Sequence, residues 1–246
     1  TDLYKFTCNN KLNIPNIKRI SKELLYGLAF LKKHKIIHCD LKPENIMLTY
    51  YDRRTIIIDY GLASFEYNME YTNYIQSRYY RAPEVYFGVR LTCSMDMWSM
   101  GCIIYELYHN KPLFGGKLEN DMIRRYNYCL GIPPKEYIDD LYKKSLRGVH
   151  FYRKDYTCSL LPDAKKKERI IDRYEKEPEF NKMNDLIRKC LIYNISDRIK
   201  PNDALEHEFF NHKDNESINE SINESIDESN EQPIEQTIEN KKINII

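Results

Sequence analysis

From Asn16 to Lys33 the apolar residues Ile17, Ile20, Leu24, Leu25, Leu28 and Leu31 recur three and four apart, the spacing that lines one face of an α-helix. Pro15 suits the start of that helix, and Lys32, Lys33 and His34 suit the negative end of its dipole. The period then changes. Lys35-Ile36-Ile37, Ile46-Met47-Leu48 and Thr55-Ile56-Ile57-Ile58 are short, largely β-branched runs that read as strands. Ser94 to Leu107 is apolar nearly all round, which predicts a helix buried at the centre of a domain. Pro112 with Gly115 and Gly116 marks a turn, and Gly131-Ile132-Pro133-Pro134 closes another helix. Residues 135–179 are polar and charge-rich, with Lys165-Lys166-Lys167 among them, and are expected to form a solvated loop. Helical spacing returns at Met183, Leu186, Ile187, Cys190 and Leu191. From Glu216 a Glu-Ser-Ile-Asn unit repeats with period four; a helix would stack Glu216, Glu220 and Glu224 as repelling neighbours, so residues 213–246 are expected to be a disordered acidic tail.

Composition narrows the class without naming a function. A chain of 246 residues with 42% hydrophobic and 30% charged residues fits a soluble globular protein. No apolar run reaches membrane-helix length, and Thr1-Asp2-Leu3-Tyr4-Lys5 carries no signal pattern, so neither membrane nor secretion is expected. The seven cysteines, at 8, 39, 93, 102, 129, 158 and 190, include no C-x-x-C pair and read as free thiols of a cytoplasmic or nuclear protein. Three lysines face nine acidic residues from Lys213 onward, which leaves a basic body beside an acidic tail. Solubility accounts for that asymmetry, and no nucleic-acid partner is expected.

The candidate chemistry lies in His38-Cys39-Asp40-Leu41-Lys42-Pro43-Glu44-Asn45, answered by Asp59-Tyr60-Gly61. Phosphoryl transfer needs little covalent help; the protein places a hydroxyl in line and neutralises charge on the phosphate oxygens. Asp40 can take or orient the hydroxyl proton. Asn45 and Asp59 offer oxygen ligands suited to Mg²⁺ shared with the phosphates of ATP, and Lys42 can reach the transferred group as a point charge. The flanking short strands deliver both metal ligands. Taken singly, His38 could be a core histidine and Asp40 a turn former, but the combination argues against that reading. A metal-dependent hydrolase would need further histidines or acids that the chain does not supply.

This pattern resembles the protein-kinase signature H-R-D-L-x-x-x-N followed by D-F-G, with Cys39 and Tyr60 as departures, and Ala82-Pro83-Glu84 resembles the A-P-E that closes the activation loop. The H-C-D loop together with Tyr74-Ile75-Gln76-Ser77-Arg78-Tyr79-Tyr80-Arg81 is similar to the dual-specificity tyrosine-regulated kinases, in the group that also holds the cyclin-dependent and MAP kinases. The resemblance implies a mainly α fold with a few short β-strands, the C-terminal lobe of a kinase over residues 1–212. The N-terminal lobe is expected to be absent, since the residues ahead of His38 hold one glycine and no strand-lysine motif.

It also implies transfer of the ATP γ-phosphate to serine or threonine of protein substrates, with autophosphorylation of the loop tyrosine. Met47 would lie under adenine, and Lys42 goes with Ser/Thr acceptors. Asp96 would accept backbone N–H groups of the catalytic loop and brace His38 and Asp40, and Glu84 would pair with Arg198. Cys39 cannot grip a loop phosphate as the arginine at that place in most kinases does, so phosphorylated Tyr74 is expected to be held by Arg78 and Arg81. Thr72 stands where the family usually has a second tyrosine, and the segment from Asp59 to Tyr74 is one residue longer than usual. The alternative is a non-catalytic lobe that acts as a binding module. Either way, the apolar face left by the missing lobe is expected to lead to aggregation or to be covered by a partner.

Overall fold

The computed structural model describes residues 1–49, 54–69, 75–145 and 175–211. Helix α1 spans Leu3–Asn9 and starts at Asp2, whose side chain accepts the Lys5 N–H at 2.8 Å. Helix α2 spans Ile14–Lys33 and begins ahead of the apolar stripe, because the Asn13 side chain accepts the Asn16 N–H at 3.0 Å and Pro15 occupies the first turn. All six residues of the stripe are buried. The strands are β1 (Ile36–Ile37), β2 (Ile46–Leu48), β3 (Thr55–Ile57) and β4 (Ser64–Phe65). They make two antiparallel pairs. In one, Ile46 faces Ile57, Met47 faces Ile56 and Leu48 faces Thr55; in the other, Ile36 faces Phe65 and Ile37 faces Ser64. Strand β4 falls in a segment that the sequence presents as irregular.

The remaining helices are α3 (Pro83–Phe87), α4 (Ser94–His109), α5 (Glu119–Leu130), α6 (Lys135–Lys144), α7 (Pro178–Cys190) and α8 (Pro201–Leu205). Helix α4 is central: 12 of its 16 residues are buried, and it packs against α2 and α7. At Gly101 an added Cβ would lie 2.7 Å from the Cys190 Cβ, so α4 and α7 meet at glycine because nothing larger fits. Trp98 stacks on Phe114 at 5.7 Å and meets Tyr126 edge-on at 5.3 Å.

One expectation is corrected. The first part of the presumed loop at 135–179 is helix α6, which buries Tyr137, Ile138 and Leu141, with Tyr137 against the Phe87 ring. Its end forms the start of α7, where Pro178 occupies the first turn. The Lys165–Lys167 run and the tail from 213 lie outside the described residues. Thr1–Phe210 form one compact unit, mainly α with a few short strands. Large apolar side chains stand exposed on it at Ile56, Tyr60, Leu62, Phe65 and Tyr67. No helix among the described residues is long and apolar enough to cross a membrane.

Candidate active site

The loop after β1 hangs from Asp96 in the first turn of α4. Asp96 Oδ2 accepts the His38 N–H at 2.7 Å and Oδ1 accepts the Cys39 N–H at 3.2 Å. Burial pushes the Asp96 carboxyl up to about 6, and the two amide donors pull against that rise. Cys39 is buried with φ 69°, a left-handed backbone that costs a non-glycine residue about 1–2 kcal/mol. It is held there by Asp96 on its N–H and by the Gln76 N–H, which donates to its carbonyl at 3.0 Å. The His38 ring is fully buried. Its Nδ1 accepts the Asp40 N–H at 3.3 Å and its Nε2 lies 3.0 Å from the Ile58 carbonyl, an arrangement that places the ring proton on Nε2. Tyr60 packs edge-on against the same ring at 5.0 Å. His38 therefore ties the loop carrying Asp40 to the strand end carrying Asp59.

Four groups surround the Asp40 carboxylate. Lys42 Nζ lies 2.9 Å and Asn45 Nδ2 3.1 Å from Oδ2; the Ser77 N–H at 3.0 Å and the Ser77 hydroxyl at 2.7 Å both donate to Oδ1. Lys42 Nζ also reaches Ser77 Oγ at 3.1 Å. Burial raises the Asp40 pKa, but the bonds from Lys42 and Ser77 outweigh it and hold the carboxyl below its usual range, so the group is an ionised proton acceptor. Sequence reasoning did not single out Ser77; its signal was a small hydroxyl residue inside the Tyr-Ile-Gln-Ser-Arg stretch. Gln76 delivers it. This buried residue has φ 62°, its Nε2 donates to the Met95 carbonyl (3.1 Å) and Ser99 Oγ (2.9 Å), and its Oε1 accepts the Ala82 N–H at 2.8 Å.

Asn45 ends a 3-10 turn just before β2, and its carbonyl accepts the Ile58 N–H at 2.9 Å. This bond extends the β2–β3 ladder by one step and puts Asp59 at the same sheet end as Asn45. The Asn45 side-chain nitrogen is directed at Asp40, with a further bond of 2.9 Å to its carbonyl, so the amide oxygen is the atom suited to a cation. Asp59 is exposed, with φ 64°, and its Oδ1 accepts the Gly61 N–H at 3.3 Å. An amide oxygen and an exposed carboxylate are hard donors that fit Mg²⁺. Met47 is half-buried, opposite Ile56 in the ladder and bridged to Asp2. A pocket of about 450 Å³ opens beside Lys42 and Ser77, with Glu44, Arg78, Tyr80 and Glu106 also on its wall.

Tyr74 lies outside the described residues. Arg81 donates to the Gln76 carbonyl through Nε (3.2 Å) and Nη2 (2.8 Å) and lies over the Tyr86 ring, while Arg78 is exposed. Glu84 and Arg198 are both fully buried and form a two-armed pair at 2.6 and 2.9 Å. Arg198 also donates to the carbonyls of Ile192 and Ser94, each at 2.9 Å. Among the described residues no group of three or more His, Cys, Asp or Glu side chains could hold a metal.

Residues 2–210 match the protein kinase domain family. Among similar curated proteins, dual specificity tyrosine-phosphorylation-regulated kinase 4 of Homo sapiens is 34% identical over 226 residues, covering 87% of this chain and 42% of that protein. Dual specificity tyrosine-phosphorylation-regulated kinase 3 of Mus musculus is 44% identical over 154 residues, covering 61% of this chain and 25% of that protein. Dual specificity tyrosine-phosphorylation-regulated kinase 2 of Drosophila melanogaster is 34% identical over 220 residues, covering 85% and 29%. The chain spans less than half the length of each of these relatives.

Proposed function

For a chain that belongs to the protein kinase domain family, in its dual-specificity tyrosine-regulated branch, we propose transfer of the ATP γ-phosphate to serine or threonine of protein substrates, with tyrosine phosphorylation of its own loop at Tyr74. The observation that carries this reading is the ionised Asp40 carboxylate set among Lys42, Asn45 and Ser77. Asp40 accepts the proton of an acceptor hydroxyl that enters through the pocket beside Lys42 and Ser77. Lys42 touches both Asp40 and Ser77, so its ammonium sits next to the base and can meet the arriving phosphoryl group as a point charge. Ser77 fixes one carboxylate oxygen through two bonds and leaves the other to face Lys42 and Asn45. When bound with ATP, Mg²⁺ held by Asn45 and Asp59 neutralises charge on the phosphate oxygens. Arg78, exposed four residues after Tyr74, is the cation best placed in sequence to receive a phosphate there, with Arg81 three residues further on.

The test is transfer from radiolabelled ATP to a serine-containing peptide, read against Asp40→Asn. Loss of a general base costs about 10²–10⁴-fold, so incorporation should fall by that much in the variant. Equal incorporation by the two chains would refute the reading. Mass spectrometry of the incubated chain locates the loop phosphate; a phosphate on another tyrosine, with Tyr74 unmodified, would refute the assignment of the loop site.

A further inference from the structure

The Asp40 carboxylate already holds a hydroxyl of the kind it is read to deprotonate. Ser77 Oγ donates to Asp40 Oδ1 at 2.7 Å, within the reach of a proton transfer, and Lys42 Nζ stands 3.1 Å from the same hydroxyl oxygen. Asp40 is itself fixed from its other side, where Asn45 Nδ2 lies 3.1 Å from Oδ2 and 2.9 Å from the Asp40 carbonyl. A hydroxyl on a base, with the base held by a third group, is the arrangement that activates a serine nucleophile. Ser77 is half-buried on the wall of the pocket beside Lys42, so its side chain is not sealed in the core. Among the described residues on that wall, Tyr80 gives its hydroxyl proton to Glu106 at 2.8 Å, and Ser77 is the hydroxyl in contact with Asp40. The contact is held within one chain: the Ser77 N–H donates to Asp40 at 3.0 Å, and Gln76 just before it is pinned to α4 through the Met95 carbonyl and Ser99.

We propose that Ser77 is a self-phosphorylation site, modified through the Asp40 of its own chain, and that the resulting phosphoserine closes the acceptor pocket. The inference rests on the reading of Asp40 as the base of phosphoryl transfer. Ser77 Oγ forms a bond to the γ-phosphorus of ATP while the bond from that phosphorus to the bridging oxygen breaks. The hydroxyl proton passes to Asp40 Oδ1, and the electron pair of the broken bond leaves with ADP; Asp40 then returns the proton to water. The product places about 1.5 to 2 negative charges beside the Asp40 carboxylate and gives Lys42 a resident phosphate in place of an arriving one. An incoming serine or threonine meets a filled pocket and a base whose neighbouring cation is engaged.

The experiment incubates the full 246-residue chain with ATP and Mg²⁺ and follows, over time, phosphate on Ser77 by mass spectrometry and transfer to a serine-containing peptide. Cleavage after Arg54 and Arg78 releases residues 55–78, and fragmentation of that peptide tells Ser77 from Tyr74. Phosphate should accumulate on Ser77 at a rate per chain that is independent of chain concentration, and Asp40→Asn should show none there. Peptide transfer should decline in step, a fully modified chain being slower by about 10²-fold or more, the scale of a missing general base. Ser77→Ala starts slower, but its own rate should hold constant over the same period. Peptide transfer by a chain whose Ser77 stays unmodified would overturn this inference and leave the proposed function standing, whereas no transfer to either would overturn both. Equal modification of Ser77 in Asp40→Asn, or a rate that rises with chain concentration, would refute modification by the chain's own base. A modified chain that transfers at full rate, or a Ser77→Ala chain that declines as the parent does, would refute closure of the pocket.

Discussion

Ser77 separates positioning from proton transfer at Asp40. In Ser77→Ala the backbone N–H still reaches Asp40 Oδ1, but the hydroxyl bonds to Oδ1 and from Lys42 are lost. Loss of about 1–2 kcal/mol of such bonding predicts roughly tenfold lower kcat/KM for peptide, with KM for ATP little changed, in a radiolabel transfer assay. Glu84 tests a different kind of bond. Glu84→Gln would leave Arg198 fully buried without its counter-charge, and urea unfolding should show a loss of about 3–5 kcal/mol. The pair Lys144–Asp140, with side chains 67% and 50% exposed, belongs to the class worth less than about 1 kcal/mol. Residue types and spacing were enough to single out Asp40, Asn45 and Asp59 from the chain, and Glu84 and Arg198 through the resemblance. The left-handed backbone at Cys39 and Gln76 was not legible, since neither Cys nor Gln favours that conformation and long-range bonds impose it. Ser77 was missed for the same reason: its role depends on the turn that Gln76 makes.

At the scale of elements, the packing of α4 on α7 reverses an ordinary rule. Glycine to alanine inside a helix usually stabilises by up to about 1 kcal/mol. At Gly101 the new methyl would lie 2.7 Å from the Cys190 Cβ and 3.1 Å from the Leu191 side chain, so Gly101→Ala should destabilise by about 1–3 kcal/mol and lower Tm in a thermal melt monitored by circular dichroism. Long elements were readable: α2 and α4 follow from period and from all-round apolarity. Helix α6 was not, because its buried set of Tyr137, Ile138 and Leu141 is a single short stripe in a ten-residue helix of which six residues are charged. Strand β4, with two residues, is too short to show any period, and only its pairing with β1 defines it.

Over the whole compact unit, its last segment, around His207, is fastened to α7 through Asp185. Its carboxylate meets Lys189 at 2.8 Å, His207 Nε2 at 2.9 Å and Arg188 at 3.2 Å, and His207 Nδ1 accepts the Phe209 N–H at 3.2 Å. Burial opposes ionisation of Asp185, but bonds from Lys189, His207 and Arg188 prevail and bring its pKa to about 2. A carboxyl depressed in the folded state stabilises above its unfolded pKa near 4 and loses that contribution as pH falls through the folded value. Urea midpoints should therefore fall between about pH 4 and pH 2, and Asp185→Asn should fall less steeply over the same interval. A parallel decline in both chains would show that the fastening contributes nothing.

Trp98 is the chain's single tryptophan, fully buried, with its indole stacked on Phe114 and the Arg198 guanidinium 5.2 Å from the ring. The molecule thus carries a built-in optical probe at the junction of an aromatic cluster and the buried Glu84–Arg198 pair. Emission from the folded chain should lie toward the blue and shift red on unfolding. A change in Trp98 emission in Glu84→Gln at unchanged helix content would register loosening of Arg198 before the fold itself gives way.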